Sequence, residues 1–193
     1  MRRINMAFLP REKLEAIGFC HLGKNVLLSD KASIYNPGDI SIGDHARIDD
    51  FCILSAGKGG ISLGRFVHIG CYSSLIGRGA IVLQDFAGLS GRVSIYSSSD
   101  DFSGHSMVHP TIPEEYRDVY VGDVILEKHV LVGSGSIILP GVRLRIGAAV
   151  GAMSFVKKDC EAFMIYAGCP ARKIKPRETH LLELEEKIRE TKF

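Results

Sequence analysis

The stretch of sequence that decides the fold runs from Leu126 to Val156 and reads LEKHVLVGSGSIILPGVRLRIGAAVGAMSFV. A helix would place apolar residues three and four positions apart, and a two-sided strand would alternate them. Here an aliphatic residue recurs at every sixth position, which predicts a solenoid of short, flat turns with one aliphatic side chain pointing inward at each face of a narrow prism. The residues of this repeat are Leu126, Val132, Ile138, Leu144, Val150 and Val156.

The same period occurs in the first half of the chain, where glycine-rich stretches interrupt it. Three consecutive positions of the repeat make one triangular coil. The interruptions fall over Gly57 to Gly60 and over Gly77 to Ala80, where corner loops absorb extra residues while the strands keep their register. The repeat residues around them are Ile42, Ile48, Leu54, Leu63, Ile69, Leu75, Leu83, Leu89 and Ile95.

The composition is that of a soluble globular protein with one main domain. The chain has 193 residues, of which 46% are hydrophobic and 24% charged, and its formal net charge is +2. This charge gives no reason to expect a nucleic-acid or membrane-surface partner, and no window reaches the roughly 18 apolar residues of a membrane span. We therefore expect a cytoplasmic protein without membrane insertion. The cysteines lack zinc-site spacing and are expected to be reduced and mostly buried; they are Cys20, Cys52, Cys71, Cys160 and Cys169.

Short helices are predicted on both sides of the repeat. Pro10 suits a first helical position and Gly18 a stop, so residues 11–17 are expected to form an N-terminal helix. A charged helix is predicted over residues 178–192, with an apolar stripe that packs on the solenoid end, as a cap, or on a neighbouring subunit. Its apolar stripe comprises Leu181, Leu184 and Ile188, broadened by Leu182.

A long polar segment interrupts the solenoid between residues 97 and 123. It reads SSSDDFSGHSMVHPTIPEEYRDVYVGD and contains two histidines, a carboxylate pair and several anchoring residues. A long loop inside a compact repeat is usually functional or disordered, and the anchoring residues favour an ordered excursion. We therefore divide the chain into an N-terminal cap with a short helix (1–24), a solenoid domain (25–175) that contains this extended loop (97–123), and a C-terminal helix (176–193).

Three motifs late in the chain resemble those of the hexapeptide-repeat acyltransferases. They are GSGSIILPGV at residues 133–142, VGAMSFVKKD at 150–159 and AGCPARKIK at 167–175. The chain is similar to sugar O-acetyltransferases of the galactoside and maltose type and to N-acetyltransferases of nucleotide-linked amino sugars. This resemblance implies an all-β, left-handed parallel β-helix with an external loop and a C-terminal α-helix, assembled as a homotrimer in which donor and acceptor meet between two solenoids.

The resemblance also implies acetyl-coenzyme A as co-substrate, with no metal. Coenzyme A has a flexible pantetheine arm, which suits corners lined by small residues such as Ser134, Gly135 and Ala152. Its phosphates suit lysine and arginine, which form charge-assisted hydrogen bonds with them. Small corner residues also occur in any solenoid, and a basic cluster is often a solvated face. By comparison with galactoside acetyltransferases, the donor contacts fall on Ser134, Ala152, Lys157, Lys158, Arg172 and Lys175.

Acyl transfer to a sugar hydroxyl needs a base, and histidine can supply it. In the O-acetyltransferases that the chain resembles, a loop histidine takes the proton, and here His105 and His109 are the candidates. The alternative for His105 is an exposed loop residue without a catalytic role, and the alternative for His109 is a structural residue of the turn before Pro110. A gapless alignment places Asp100 at that family position, and SSSDDFSG resembles a subgroup associated with amino-sugar acylation in surface-polysaccharide pathways. Asp100 or Asp101 then binds the acceptor amine or orients a histidine, unless both only cap the loop.

The sequence thus predicts an acetyl-coenzyme A dependent acetyltransferase acting on a hydroxyl or amine of a sugar or a nucleotide-linked amino sugar, in lipopolysaccharide or O-antigen biosynthesis. Two alternatives keep the fold and change the function. A trimeric metal hydrase of the carbonic anhydrase type would need His68, His105 and His109 to converge on zinc across a subunit interface. A non-enzymatic scaffold would not need its long loop.

Overall fold

The computed structural model describes residues 8–191, and over these residues the chain winds as a parallel β-helix with three sheets. Each sheet takes one short strand from every coil, and strands of neighbouring coils pair in parallel. The architecture is the predicted all-β solenoid with an external loop and a C-terminal α-helix.

The strands are numbered in chain order and grouped here by sheet. The first sheet contains β1 (His21–Leu22), β4 (Ile40–Ile42), β7 (Ile61–Leu63), β10 (Ile81–Leu83), β15 (Val124–Leu126) and β18 (Arg143–Leu144). The second contains β2 (Leu27–Leu28), β5 (Arg47–Ile48), β8 (His68–Ile69), β11 (Gly88–Leu89), β16 (Leu131–Val132), β19 (Ala149–Val150), β21 (Met164–Ala167) and β22 (Arg172–Pro176). The third contains β3 (Ser33–Tyr35), β6 (Ile53–Ala56), β9 (Ser74–Gly77), β12 (Ser94–Tyr96), β17 (Ile137–Ile138) and β20 (Phe155–Val156).

The six-residue repeat builds the core. All six repeat residues between 126 and 156 are buried, with no more than 3% of any of them exposed. Each lies in register with its counterpart one coil away, as Leu126 pairs with Leu83 on one side and Leu144 on the other. The residue two positions earlier is also buried, for example Val124 and Val130. Because side chains of a strand alternate between its faces, each face of a coil contributes two inward residues, one more than the repeat predicted.

All of the interruptions in the repeat fall at one corner of the prism, between the third sheet and the first. Residues 57–60 join β6 to β7, residues 77–80 join β9 to β10, and the long polar segment joins β12 to β15. We call that segment, residues 97–123, the arm. Stacking at one corner places Arg78 beside the arm, where its Nη1 donates a hydrogen bond of 2.8 Å to Glu114 Oε1.

Two helices flank the solenoid, α1 (Arg11–Ala16) and α2 (Leu181–Glu190). The helix α1 buries Leu14, and strand β1 begins before the predicted solenoid start at residue 25. The helix α2 begins three residues later than predicted, and residue 192 lies outside the described residues. Within the single chain, Leu184 of the predicted apolar stripe is 44% exposed and therefore does not pack on the solenoid. The side chain that α2 buries instead is Glu185.

The Glu185 carboxylate joins α2 to the solenoid. Lys128 Nζ and His129 Nε2 each lie 2.6 Å from its oxygens, and Arg189 Nη2 of α2 donates a third hydrogen bond of 2.6 Å. The His129 ring stacks on Phe86, with ring centroids 5.1 Å apart, which fixes its orientation towards the helix. Burial alone would raise the pKa of Glu185, but hydrogen bonds from these three side chains outweigh burial and lower the pKa to about 2.

The cysteines differ in part from the prediction. All five are free, but only Cys52 and Cys160 are buried, so the expectation of mostly buried thiols is wrong for the other three. Burial raises the pKa of Cys52 to about 11 and that of Cys160 to about 12. No helix within residues 8–191 is both long and apolar enough to cross a membrane.

Candidate active site

The arm is folded back on itself as an antiparallel hairpin. Its strands are β13 (Ser98–Asp100) and β14 (Val119–Val121), and a short 3-10 helix spans Glu114–Tyr116. In the segment between the two strands, the Met107 amide donates a hydrogen bond of 2.9 Å to the Tyr116 carbonyl. The hairpin therefore holds the polar residues of the arm at set positions beside the solenoid corner.

Asp101 is used inside the arm. Its carboxylate accepts hydrogen bonds from the backbone amides of Ser103 (2.7 Å) and Ser106 (2.9 Å), and from the Ser106 hydroxyl. These bonds, first of all those from Ser103, hold the pKa of Asp101 well below its usual range. These contacts agree with the alternative in which Asp101 caps the loop: its carboxylate organises the turn that carries His105.

Asp100 has a different environment. It is half-buried at the end of β13, and within residues 8–191 no group donates a hydrogen bond to its carboxylate. It lines a cavity of about 540 Å³ together with apolar side chains such as Phe102 and Met107, and also a second cavity of about 360 Å³. A carboxylate that is free to accept hydrogen bonds at the junction of two cavities can bind an amino group of a ligand.

The two candidate histidines line different cavities. His109 lines the cavity of about 540 Å³ with Asp100, while His105 lines a neighbouring cavity of about 580 Å³ with Tyr116 and Arg117. The backbone of His109 has a φ of 77°, in the left-handed region, and its carbonyl accepts a hydrogen bond from the Ile112 amide. His109 thus also forms the turn before Pro110, and both histidines are exposed.

The predicted donor residues form two groups. Ser134 and Ala152 occupy the same exposed corner in successive coils. At Gly135 a Cβ would lie 2.5 Å from Met153 Sδ, and its φ of 72° is one that glycine adopts without strain. Because Gly135 has no side chain, Met153 can lie across the corner, and both residues shape its surface.

The basic residues gather where the solenoid ends. Lys157, Lys158 and Arg172 line a cavity of about 230 Å³ whose wall includes Tyr166. Arg172 and Lys175 lie on β22, which pairs with β21 and is fully exposed. Lys173, which the prediction did not include, also lines the cavity, and its Nζ donates a hydrogen bond of 2.7 Å to Glu161. Lys157, Lys158 and Arg172 form no ion pair with any residue between 8 and 191, and cations placed in this way suit the phosphates of coenzyme A.

Two arginines near the arm were missed by sequence reasoning. Arg78 and Arg117 line the cavity of about 360 Å³ together with Asp100. They are 39 positions apart in a chain of near-neutral charge, so no local motif marks them. Only the stacking of the insertions at one corner brings them together.

A metal centre is not formed by the histidines of one chain. His68 lies on β8, where its Nε2 is 2.9 Å from Asp49 Oδ2, and Asp49 also accepts a hydrogen bond from Arg47. Across residues 8–191 of a single chain, no group of three histidine, cysteine, aspartate or glutamate residues is placed to hold a metal ion.

Comparison with known proteins places the chain beside enzymes that modify nucleotide sugars. No family model matches it. It is 51% identical over 180 residues to the dTDP-4-amino-4,6-dideoxy-D-glucose acyltransferase of Escherichia coli, covering 93% of this chain and 94% of that protein.

The structural comparisons agree. AntD, an N-acyltransferase from Bacillus cereus in complex with dTDP and 3-hydroxybutyryl-CoA, matches with a TM-score of 0.90 and 50% identity over 95% of this chain and 97% of that one. A maltose O-acetyltransferase from Clostridium difficile 630 has a TM-score of 0.59 at 20% identity, over 88% of this chain and 75% of that one, which shows the shared fold alone.

Proposed function

The chain belongs to the hexapeptide-repeat acyltransferase family, and we propose that it transfers an acyl group from acyl-coenzyme A to the amino group of a nucleotide-linked amino sugar. The observation that carries this proposal is the 51% identity to the E. coli acyltransferase across nearly the full length of both chains. The half-buried Asp100 carboxylate supports an amine acceptor over a hydroxyl, since a carboxylate can accept hydrogen bonds from the amine and stabilise positive charge on it as it attacks.

In the proposed reaction, the amine nitrogen attacks the carbonyl carbon of the thioester. A C–N bond forms, the C–S bond breaks, and coenzyme A leaves as a thiolate, which then takes up the amine proton from the histidine that accepted it. Asp100 orients the amino group, and a loop histidine, His105 or His109, accepts the proton. Asp101 keeps the turn that carries His105 in shape. Because an amine is already a good nucleophile, most of the catalytic effect comes from holding it against the thioester.

The donor is proposed to lie along the last coils of the solenoid. Ser134, Gly135 and Ala152 form the corner that accommodates the pantetheine arm. The phosphates are bound by the exposed basic side chains at the solenoid end, namely Lys157, Lys158, Arg172 and Lys175. Acetyl-coenzyme A is the first donor to test. The second donor to test carries a longer acyl chain, because AntD is in complex with 3-hydroxybutyryl-CoA.

We further propose a homotrimer in the cytoplasm, acting in the synthesis of a surface polysaccharide such as the O-antigen. The arm exposes large apolar side chains, with Phe102 94% exposed and Met107 and Tyr116 more than half exposed. Such a surface suits burial against a neighbouring solenoid. Sedimentation equilibrium tests the trimer, and limited proteolysis tests the proposed division at residues 24 and 175.

The function is tested by following free coenzyme A with a thiol reagent. The panel contains galactosides and dTDP-linked sugars with a 3-amino, a 4-amino or no amino group, each with acetyl- and 3-hydroxybutyryl-coenzyme A. We expect turnover with the amino sugars and a product whose mass has increased by one acyl group. Turnover only with the galactosides would refute the amine acceptor. Stoichiometric zinc without coenzyme A binding would select the hydrase alternative. Binding of a partner that is unchanged after deletion of residues 100–116 would select the scaffold alternative.

A further inference from the structure

Arg117 is a cation without a counterion. Its Nε is buried and has no hydrogen-bond partner, and within the described residues 8–191 no carboxylate pairs with its guanidinium. The side chain is half-buried between the cavity of about 360 Å³ and the cavity of about 580 Å³. A guanidinium stays charged at any physiological pH, and a buried N–H without an acceptor is costly. The position is therefore expected to gain an anionic ligand that satisfies it.

The cavity of about 360 Å³ offers further donors to such a ligand. Arg78 lines it, and among the described residues its guanidinium is engaged through Nη1 alone, by the exposed Glu114. The hydroxyls of Ser55, Ser98 and Ser99 come from the same walls, and Ser98 Oγ is 3.2 Å from the Arg78 amide. Two forked guanidinium groups with neighbouring hydroxyls match the geometry of phosphate oxygens.

We propose that Arg117 and Arg78 bind the diphosphate of the nucleotide-linked acceptor, an assignment that rests on the proposed function. In a pyranose, the 4-amino group and the anomeric diphosphate lie at opposite ends of the ring. Asp100 pairs with Val119 across the arm hairpin, and Arg117 lies two residues before Val119, a distance of roughly 7 Å along the chain. One sugar ring with its substituents spans this separation, so Asp100 holds the amine while Arg117 holds the phosphate.

The phosphates of coenzyme A are the other anionic groups that could bind Arg117 and Arg78. The position of the cavity argues against them. The cavity is lined from β6, β9 and the arm, whereas the basic cluster of the donor follows β20. In the third sheet, β9 is three strands and β6 four strands away from β20, which places them roughly 14 and 19 Å from it at the usual strand spacing. The diphosphate of the acceptor and the phosphates of coenzyme A therefore have separate cationic sites.

The test measures binding and turnover separately. Isothermal titration calorimetry of the full-length protein with dTDP, dTMP, thymidine and inorganic pyrophosphate measures the diphosphate contribution without any transfer. Wild-type protein should bind dTDP at least 10-fold more tightly than thymidine. Arg117→Gln should lower affinity for dTDP roughly 10- to 100-fold, leave that for thymidine unchanged, and raise the KM of the nucleotide sugar but not of the acyl donor.

Two further variants keep the result interpretable. Arg117→Lys retains the charge and loses the fork, so it should fold even if the glutamine variant does not, and it should lose several-fold in dTDP affinity. Arg145→Gln removes an exposed arginine outside both sites and should change nothing. Normal dTDP affinity in the Arg117 variants, or a selective rise in the KM of acyl-coenzyme A, would overturn the assignment. Wild-type protein that binds dTDP through Arg117 but transfers no acyl group would refute the proposed function and leave this subsite standing.

Discussion

The buried carboxylate of Glu185 is the contact whose removal should most weaken the attachment of α2. Glu185→Gln keeps the size of the side chain and removes its charge. The acid is 4% exposed and its three partners lie at 2.6 Å, with His129 8%, Lys128 28% and Arg189 49% exposed. The contribution of each partner falls with its exposure, because water screens exposed pairs.

The expected cost follows from these exposures. A buried hydrogen bond to a charged group contributes about 1.5 kcal/mol or more, as for His129, and an exposed pair within a helix about 0.5 kcal/mol, as for Arg189. With Lys128 between them, Glu185→Gln should cost about 3 kcal/mol, at the lower end of what breaking a buried ion pair costs. For a chain of this length that corresponds to a fall in Tm of about 6–12 °C.

The cost should also depend on pH in a defined direction. The folded-state pKa of Glu185 is about 2, against an ordinary value of 4.5, so the unfolded chain binds the proton first. The stability that the carboxylate contributes is complete above pH 4.5 and disappears as the pH falls towards 2. The difference in Tm between wild type and Glu185→Gln should therefore shrink over that interval.

Differential scanning calorimetry from pH 7 down to the acid limit of folding measures both effects. Hydrogen exchange of the α2 amides shows whether the helix opens separately. Glu186→Gln is the matched control, since Glu186 is the exposed neighbour and its one ion pair within residues 8–191 is with Arg189, at 3.1 Å. An equal loss in both variants, or a loss for Glu185→Gln that does not change with pH, would refute the assigned role of the buried carboxylate.

Three further predictions concern the proposed active site. Asp100→Asn should lower kcat/KM for the amino sugar roughly 10- to 100-fold, whereas Asp101→Asn should chiefly make the arm more sensitive to proteolysis; equal kinetic losses would remove the distinction between them. His105→Ala and His109→Ala should differ, the base losing roughly 100-fold in kcat and the other histidine only a few-fold, and near-normal activity in both would assign the proton to neither. Lys158→Ala should raise the KM of the acyl donor roughly 3- to 10-fold at constant kcat, and an unchanged KM would count against its contact with phosphate.

The fold was largely predictable because its signal is periodic. The aliphatic repeat from 126 to 156 and its earlier counterparts are all buried, and the glycine-rich interruptions are corner loops as expected. The buried contact of α2 was not predictable from its apolar stripe. Leu184 is exposed within the single chain, whereas Glu185 is buried, because three side chains donate hydrogen bonds to its carboxylate and offset the cost of removing it from water.

The candidate site was predictable only where local motifs carry it. The basic residues near 157 and 172 are marked by sequence context, and the structure places Lys157, Lys158 and Arg172 around one cavity. The roles of Asp100 and Asp101 were left open, since adjacent carboxylates look alike in sequence. Their surroundings differ in the fold: the arm supplies amide donors to Asp101 and leaves Asp100 facing the cavities.

The six-residue period is sufficient to predict a solenoid and the place where the repeat stops, because neither a helix nor a two-sided strand buries aliphatic side chains at that spacing. Which distant residues meet at the corner where the insertions stack depends on the tertiary structure. Arg78 and Arg117 reach a common cavity because parallel coils bring residues of successive turns together at the spacing of strands in a sheet. That juxtaposition depends on how the coils stack, and no local pattern in the chain encodes it.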